Sequence, residues 1–197
     1  QAEALGLGHA VLCAEPVIGN EPFAVLLPDD LIWNANGPGA LKQMADLAEK
    51  EQASVIAVQD VPRAQTSSYG IVATRGFEGR SGRIEAMVEK PKPEVAPSTL
   101  GVVGRYILGP GIFDALRATT PGAGGEIQLT DAIAARLAGH TTLAYRFEGT
   151  RFDCGSHIGL IQATIRFALD HEKLSASAQS FMRQTLEELS QDQSALD

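Results

Sequence analysis

The chain has 197 residues, with 44% hydrophobic and 20% charged side chains, which are values typical of a globular protein and disfavour a disordered one. With 16 Lys and Arg against 24 Asp and Glu, the net charge of −8 disfavours a nucleic-acid-binding surface but leaves a small anionic substrate open. No apolar run approaches the roughly 20 residues of a membrane span, and no signal peptide is visible. Because Cys13 and Cys154 are far apart and outside any Cys/His cluster, we expect reduced thiols, no zinc and a cytoplasmic location.

The first third of the chain predicts a β–α–β unit. After a short helix over residues 9–14, residues 23–27 form a continuous apolar run between two prolines, which predicts a strand buried on both faces. Residues 38–52 carry apolar side chains at helical spacing, and residues 54–61 predict a second buried strand. This order is typical of an α/β fold with a right-handed crossover.

The rest of the chain alternates short strands and helices. Two strands, at 69–74 and 83–91, flank a glycine-rich hairpin, and in the second we expect Ile84 and Val88 on one face and Met87 on the wetter face. Further strands are predicted at 101–108, 142–149 and 151–155, and helices at 110–118, 126–138, 156–171 (with Ser156 as N-cap) and 177–191. No linker is evident, so we expect one domain over residues 1–175, followed by a C-terminal helix and tail over 176–197.

Three acidic residues follow predicted strands. Asp29 and Asp30 come directly after the first buried strand, and Asp153 lies between a short strand and a capped helix. Ligands of open α/β sheets bind at the carboxyl ends of strands, where a carboxylate can hold Mg²⁺ while phosphates supply other oxygen ligands. The alternative for each is a turn acid or a helix N-cap.

A second group of candidates surrounds the hairpin and the glycine-rich loop. Lys90, held at a strand end by Pro91, is suited to a phosphate, and Glu89 is suited to sugar hydroxyls, although a solvated ion pair is the alternative. Gly70 lets a ligand approach the backbone or only makes a turn. Glu126, after the glycines of residues 122–125, is either part of a sugar-binding rim or an acid at a helix start.

Several long segments together resemble the bacterial UTP–glucose-1-phosphate uridylyltransferases, also named UDP-glucose pyrophosphorylases. The most specific are E-P-F-A-V-L-L-P-D, M-V-E-K-P-K-P-x-x-A-P-S and P-G-A-G-x-E-I-Q-L-T-D-A-I, and the resemblance runs from Gln1 to about His171. It implies a nucleotide-diphospho-sugar transferase fold: a mixed, mostly parallel sheet flanked by helices, here incomplete. It also implies the Mg²⁺-dependent conversion of UTP and glucose 1-phosphate to UDP-glucose and pyrophosphate by a homo-oligomer.

The resemblance assigns roles to individual positions. Lys90, Asp29 and Asp153 become the catalytic residues, because charge neutralisation and positioning dominate phosphoryl transfer chemistry. Asp30 stands where family members vary and receives no metal role. The implied contacts are uracil for Gln1 and Gly8, glucose for Gly70 and Glu89, the sugar phosphate for Lys90, the sugar surroundings for Glu126, and the metal for Asp29 and Asp153.

One expected element of the family is missing from the sequence. No G-x-G-T-R loop, which cradles the triphosphate, occurs here, and the chain opens on Gln1. We therefore interpret the chain as the carboxyl-terminal two-thirds of such an enzyme, inactive alone, with unpaired sheet edges and exposed apolar surface.

Three other functions remain open from the sequence. A dTTP-using sibling would share most of these segments. A metal-dependent glycosyltransferase would share the architecture, but the VEKPKP and EIQLTDAI segments disfavour it. A non-catalytic sugar-nucleotide-binding module would lack the same loop. In the last helix, Phe181, Met182, Leu186 and Leu189 predict either a subunit contact or packing on the chain's own domain.

Overall fold

The computed structural model describes residues 1–194 and divides the chain into two compact units. The first contains Gln1–Pro28 and Asn34–Gly149, and the second contains Asp29–Trp33 and the chain from Thr150 onward. The predicted domain boundary at residue 175 stays a prediction, and the end of the predicted tail, residues 195–197, lies outside the described residues.

The strands are β1 (Phe23–Leu26), β2 (Asp30–Trp33), β3 (Ser54–Asp60), β4 (Gly70–Thr74), β5 (Ser81–Glu89), β6 (Leu100–Leu108), β7 (Thr142–Tyr145) and β8 (Thr150–Asp153). The helices are α1 (Leu7–Leu12), α2 (Glu15–Ile18), α3 (Ala40–Glu51), α4 (Ile112–Ala118), α5 (Leu129–Arg136), α6 (His157–Asp170) and α7 (Ser175–Ser194).

The first unit is built on one six-stranded sheet in the order β1-β6-β3-β7-β5-β4, with a further pairing of β4 and β6. The prediction of a mixed sheet is confirmed, but "mostly parallel" is wrong for the described strands, because only β3 and β7 pair in parallel. β1 and β3 do run in the same direction, as the crossover through α3 predicts. They are not neighbours, since β6 lies between them and pairs antiparallel with both.

Helices cover both faces of this sheet. Alternate residues of β3 belong to two separate cores: Ile56 and Val58 pack with α1, α4 and α5, and Val55 and Ala57 pack with Met44 of α3. Successive side chains of a strand point to opposite faces, so these cores lie on opposite sides of the sheet. This layering confirms the predicted α/β class.

β1 is an edge strand among the described residues, and its predicted burial on both faces is wrong. It pairs with β6 alone, and its burial alternates, so that the Leu26 side chain is 49% exposed. A continuous apolar run predicts two buried faces only where packed elements cover both, and here the face that carries Ala24 and Leu26 is exposed. The unpaired edge and exposed apolar surface match the expectation for an incomplete sheet.

A β-bulge reverses the predicted faces of β5. Ala86 pairs with Ala73, but Ile84 pairs with Thr74, so Glu85 is an extra residue in the ladder. Beyond an inserted residue the side chains exchange faces. Consequently Met87, predicted on the wetter face, is buried, and Val88 is 42% exposed.

The second unit consists of the antiparallel pair β2 and β8 with helices α6 and α7. β2 was not predicted. Its four residues directly follow the turn at Asp29, so the sequence pattern did not separate them from that turn. The predicted N-cap of α6 is present: the Ser156 hydroxyl accepts a hydrogen bond from the Gly159 amide at 3.1 Å. Within residues 1–194 no helix combines the length and apolar character needed to cross a bilayer.

Candidate functional site

The turn at the end of β5 brings the predicted sugar and phosphate residues together. Lys90 Nζ lies 3.7 Å from Glu89 Oε1, and the Lys90 side chain is 58% exposed whereas that of Glu89 is only 16% exposed. Lys90 adopts a left-handed backbone conformation with φ of 44°, which costs a non-glycine residue roughly 1–2 kcal/mol. Such strain persists where the surroundings impose it, and here it presents an accessible ammonium group beside a sheltered carboxylate.

The surrounding loop braces this turn. The Lys90 amide donates to the Tyr69 carbonyl at 3.0 Å, and the hydroxyl oxygen of fully buried Thr66 lies 3.0 Å from the Arg63 carbonyl and 3.4 Å from the Pro91 carbonyl. Arg63 donates to the Pro93 and Ala96 carbonyls at 2.6 and 3.2 Å. The 3₁₀ turn Arg63–Ser68 therefore contacts the chain that follows Lys90.

Gly70 and Thr130 complete this cluster. Gly70 is the cross-strand partner of Glu89, and a Cβ atom at position 70 would lie 3.2 Å from both Glu89 Oε2 and Thr130 Oγ1. The Thr130 hydroxyl donates to Glu89 Oε2 at 2.6 Å. The sequence analysis quoted Thr130 within a motif but gave it no role, since nothing in a helix pattern shows that a threonine reaches a carboxylate on a distant strand.

A separate cluster contains Gln1, Gly8 and Glu126. The Gly8 amide donates to the Ile127 carbonyl at 2.9 Å, and Gln1 Nε2 lies 2.9 Å from His9 Nδ1. A Cβ atom on Gly8 would lie 2.6 Å from the Ile127 oxygen, so only glycine permits this approach. Glu126 is exposed, and its carboxylate oxygen Oε2 accepts a hydrogen bond from the Gln128 side-chain amide at 3.1 Å.

The predicted helix start at Glu126 is wrong, because α5 begins at Leu129. Residues 126–128 are not helical: the Ile127 amide donates to the Leu5 carbonyl at 2.8 Å, so its backbone pairs with the N-terminal segment. Tertiary pairing thus overrides the local helix preference. Glu126 is therefore no helix-dipole acid.

The predicted metal ligands lie in the second unit. Asp29 and Asp153 are both exposed, and the Cys154 amide donates to the Asp29 carbonyl at 2.7 Å. A Cβ atom on Gly155 would lie 3.1 Å from Asp153 Oδ1 and 3.5 Å from Asp29 Oδ2, so both carboxylates face one small space. Within residues 1–194 no group of three or more His, Cys, Asp or Glu side chains is arranged for a metal. Two carboxylates fit a hard cation that takes its remaining ligands from phosphate and water.

Asp30 faces a different partner. Its carboxylate forms a buried ion pair with the Arg151 guanidinium, and the two side chains are 7% and 11% exposed. Arg151 Nη2 also lies 3.7 Å from Asp153 Oδ2. Asp30 is thus engaged in an ion pair, although it lies directly opposite Asp153 across the β2–β8 pair, and its exclusion from the metal ligands stays a prediction.

A cavity in the first unit contains none of the predicted site residues. It has a volume of about 520 Å³ and is lined mainly by apolar groups of β1, α3 and β6, with His140 at its margin. His140 lies 3.0 Å from the Ser54 hydroxyl, and burial together with Arg136 lowers the pKa of its imidazole. Because the cavity lies beside edge strand β1, it belongs to the exposed apolar surface rather than to the charged site.

Comparison with known proteins places these features in a family. The model of the nucleotidyl transferase family matches residues 1–168. A UTP–glucose-1-phosphate uridylyltransferase of Pseudomonas aeruginosa PAO1 is 51% identical over 164 residues, covering 83% of this chain and 59% of the relative. One from Staphylococcus epidermidis is 45% identical over 184 residues, covering 93% and 63%. The chain thus spans about three fifths of the length of these relatives.

Solved structures support the same family assignment. A UDP-glucose pyrophosphorylase in complex with UDP-glucose superimposes with a TM-score of 0.82 at 45% identity, covering 86% of this chain and 64% of that one. A UTP-bound UGPase from Acinetobacter baumannii gives 0.80 at 43%, covering 91% and 62%. A Bacillus anthracis structure named for a glucose-1-phosphate thymidylyltransferase gives 0.64 at 22% identity, covering 83% and 61%, and shares the fold alone. These matches confirm the resemblance and the fold class, and the chain belongs to the nucleotidyl transferase family.

Proposed function

We propose that this chain is the sugar-phosphate-binding part of an enzyme that converts UTP and glucose 1-phosphate to UDP-glucose and pyrophosphate. The observation that carries the proposal is the pairing at the end of β5. An exposed ammonium group, Lys90 Nζ, lies 3.7 Å from a carboxylate oxygen, Glu89 Oε1, that is sheltered from water. A sugar phosphate needs both groups side by side, a cation for its phosphate and an acceptor for its hydroxyls.

The reaction requires that the two substrates be positioned and that their phosphate charges be neutralised. A phosphate oxygen of glucose 1-phosphate attacks the α-phosphorus of UTP, a new P–O bond forms, and the bond to pyrophosphate breaks. Lys90 offsets the charge of the incoming anion, while Glu89 and Gly70 orient the sugar. We assign Gln1 and Gly8 to uracil, and Glu126 to the surroundings of the sugar.

The family indicates a divalent cation, and we propose that it is Mg²⁺ held by Asp29 and Asp153. Mg²⁺ is commonly bound by one or two carboxylates together with substrate phosphates, which is the donor set that these residues offer. When bound, the cation would neutralise phosphate charge on the nucleotide. The Gly155 amide, 3.2 Å from Asp153 Oδ1, helps to orient that carboxylate.

Location and assembly complete the proposal. We infer a cytoplasmic enzyme, supported by its use of nucleotides and by the free thiols of Cys13 and Cys154. We also infer a homo-oligomer, supported by large apolar side chains on α7: Phe181, Leu186 and Leu189 are 70%, 68% and 56% exposed. Light scattering on the purified protein tests the oligomeric state.

The activity is tested by pyrophosphate release in the protein encoded by the complete reading frame that contains this chain, with the 197-residue chain measured beside it. We expect release that prefers UTP over dTTP and is lost with Asp29→Ala. Lys90→Ala should lower kcat/KM for glucose 1-phosphate about 10- to 100-fold, because a hydrogen bond to a charged group contributes roughly 1.5–3 kcal/mol.

Lys92→Ala is the matched control, since Lys92 is an exposed lysine of the same turn. Equal losses in the two lysine variants would contradict the phosphate role of Lys90. A preference for dTTP would favour the thymidylyl-transferring sibling. Sugar-nucleotide binding without pyrophosphate release would favour the non-catalytic module.

A further inference from the structure

Thr130 is a buried polar residue whose side chain is directed at the candidate sugar site. It is the second residue of α5 and only 7% exposed. At this position no carbonyl of a preceding helical turn is available to its hydroxyl. The hydroxyl donates to Glu89 Oε2 at 2.6 Å, across 41 residues of sequence.

This hydrogen bond makes the two oxygens of the Glu89 carboxylate different. Oε2 is bonded to Thr130, whereas Oε1 is the oxygen that lies 3.7 Å from Lys90 Nζ. A hydrogen bond to an ionised acceptor is short and strong, so it restrains the rotation of the carboxylate about its last torsion. Oε1 is therefore held at a fixed position relative to the Lys90 ammonium group.

Gly70 makes this arrangement possible. A methyl group at position 70 would lie 3.2 Å from both members of the bond, so a larger residue would press on the hydroxyl and the carboxylate together. The sheet register sets Gly70 directly opposite Glu89. Three elements, β4, β5 and α5, thus converge on one carboxylate.

We propose that Thr130 is a positioning residue that selects the hexose by fixing Oε1 of Glu89, a role that rests on the proposed function. With the phosphate at Lys90, a fixed Oε1 accepts from a sugar hydroxyl only when that hydroxyl has the correct configuration. An epimer then leaves this sheltered acceptor without its sugar hydroxyl, which is how polar sites discriminate between similar substrates. A carboxylate that can rotate would accept from epimers as well.

The test compares Thr130→Val, which keeps the shape but removes the donor, with Thr130→Ser, which retains it, in the protein of the complete reading frame. The assay measures kcat/KM with UTP for glucose 1-phosphate, galactose 1-phosphate and mannose 1-phosphate. We expect Thr130→Val to reduce the preference for glucose 1-phosphate about tenfold without changing the KM for UTP. Thr130→Ser should retain the preference. Thr142→Val is the matched control, because Thr142 is buried in β7, which carries no predicted site residue.

Any other outcome would overturn the role of Thr130. The outcomes differ in whether the proposed function fails as well. If the wild-type protein forms UDP-glucose and Thr130→Val keeps the wild-type preference, only the role of Thr130 fails. If Thr130→Val weakens all three sugars and UTP equally, or matches Thr142→Val, the hydroxyl is merely structural. If the wild-type protein shows neither turnover nor calorimetric binding of glucose 1-phosphate, the proposed function fails as well.

Discussion

Replacing Gly159 with alanine sets two physical effects of opposite sign against each other. Gly159 is a buried residue inside helix α6. Intrinsic helix propensity alone predicts that Gly→Ala stabilises such a helix by about 1 kcal/mol. In this structure, however, the new Cβ atom would lie 1.9 Å from the carbonyl oxygen of Asp153, where ordinary contact begins at 3.4 Å.

The size of the stability loss follows from which atoms the new Cβ atom must displace. The obstructing atom is backbone, so the helix start and β8 must separate by about 1.5 Å. Overpacking of this kind costs about 1–3 kcal/mol, and the new Cβ atom would also lie 2.9 Å from the Ser156 hydroxyl oxygen, which disturbs a helix cap worth about 1 kcal/mol. After the propensity gain, we expect a net loss of about 2 kcal/mol. For a chain of this size that corresponds to a fall in Tm of about 4–8 °C.

Calorimetry gives the Tm, and amide hydrogen exchange in α6 locates the effect. The matched control is Gly139→Ala, because a Cβ atom there meets nothing within 4 Å. A Gly159→Ala protein as stable as the wild type, with unchanged exchange in α6, would refute the reasoning from the Asp153 contact. Because Asp153 is a proposed metal ligand, weaker Mn²⁺ binding should accompany the loss of stability.

Three further predictions concern the candidate metal site, the ion pair of Asp30 with Arg151, and His140. Gly155→Ala should weaken Mn²⁺ binding about tenfold in titration calorimetry with little change in Tm, since its methyl group would occupy the space that both candidate metal carboxylates face; unchanged affinity would contradict that placement. Asp30→Asn should lower the free energy of unfolding by about 2 kcal/mol in urea titrations, because it weakens a largely buried charged hydrogen bond to Arg151, which keeps Asp153 3.7 Å away; a loss below about 0.5 kcal/mol would contradict it. Burial and Arg136 lower the pKa of His140 below that of the unfolded chain, so stability is present above pH 6.5 and is lost as pH falls toward the folded pKa. His140→Gln should flatten that acid-side loss in Tm measured from pH 7 to 5, and an unaltered profile would contradict the assignment.

The sequence by itself determined the α/β class, the identity of most elements and the candidate residues. Continuous apolar runs predicted strands such as β3, helical spacing predicted α3, and the Ser156 cap was visible from residue type alone. These features depend on neighbours along the chain, so local chemistry is sufficient to predict them. Long motifs carried the family resemblance and, with it, the pairing of Glu89 with Lys90.

Only the tertiary structure decided what depends on partners distant in sequence. Insertion of β6 between β1 and β3 made the sheet pairings mainly antiparallel, and pairing with the N-terminal segment kept Glu126 out of α5. The bulge at Glu85 buried Met87 in place of Val88. Thr130 gained its proposed role from a contact across 41 residues. Each of these outcomes is set by strand register or by a hydrogen bond between segments that no local pattern encodes.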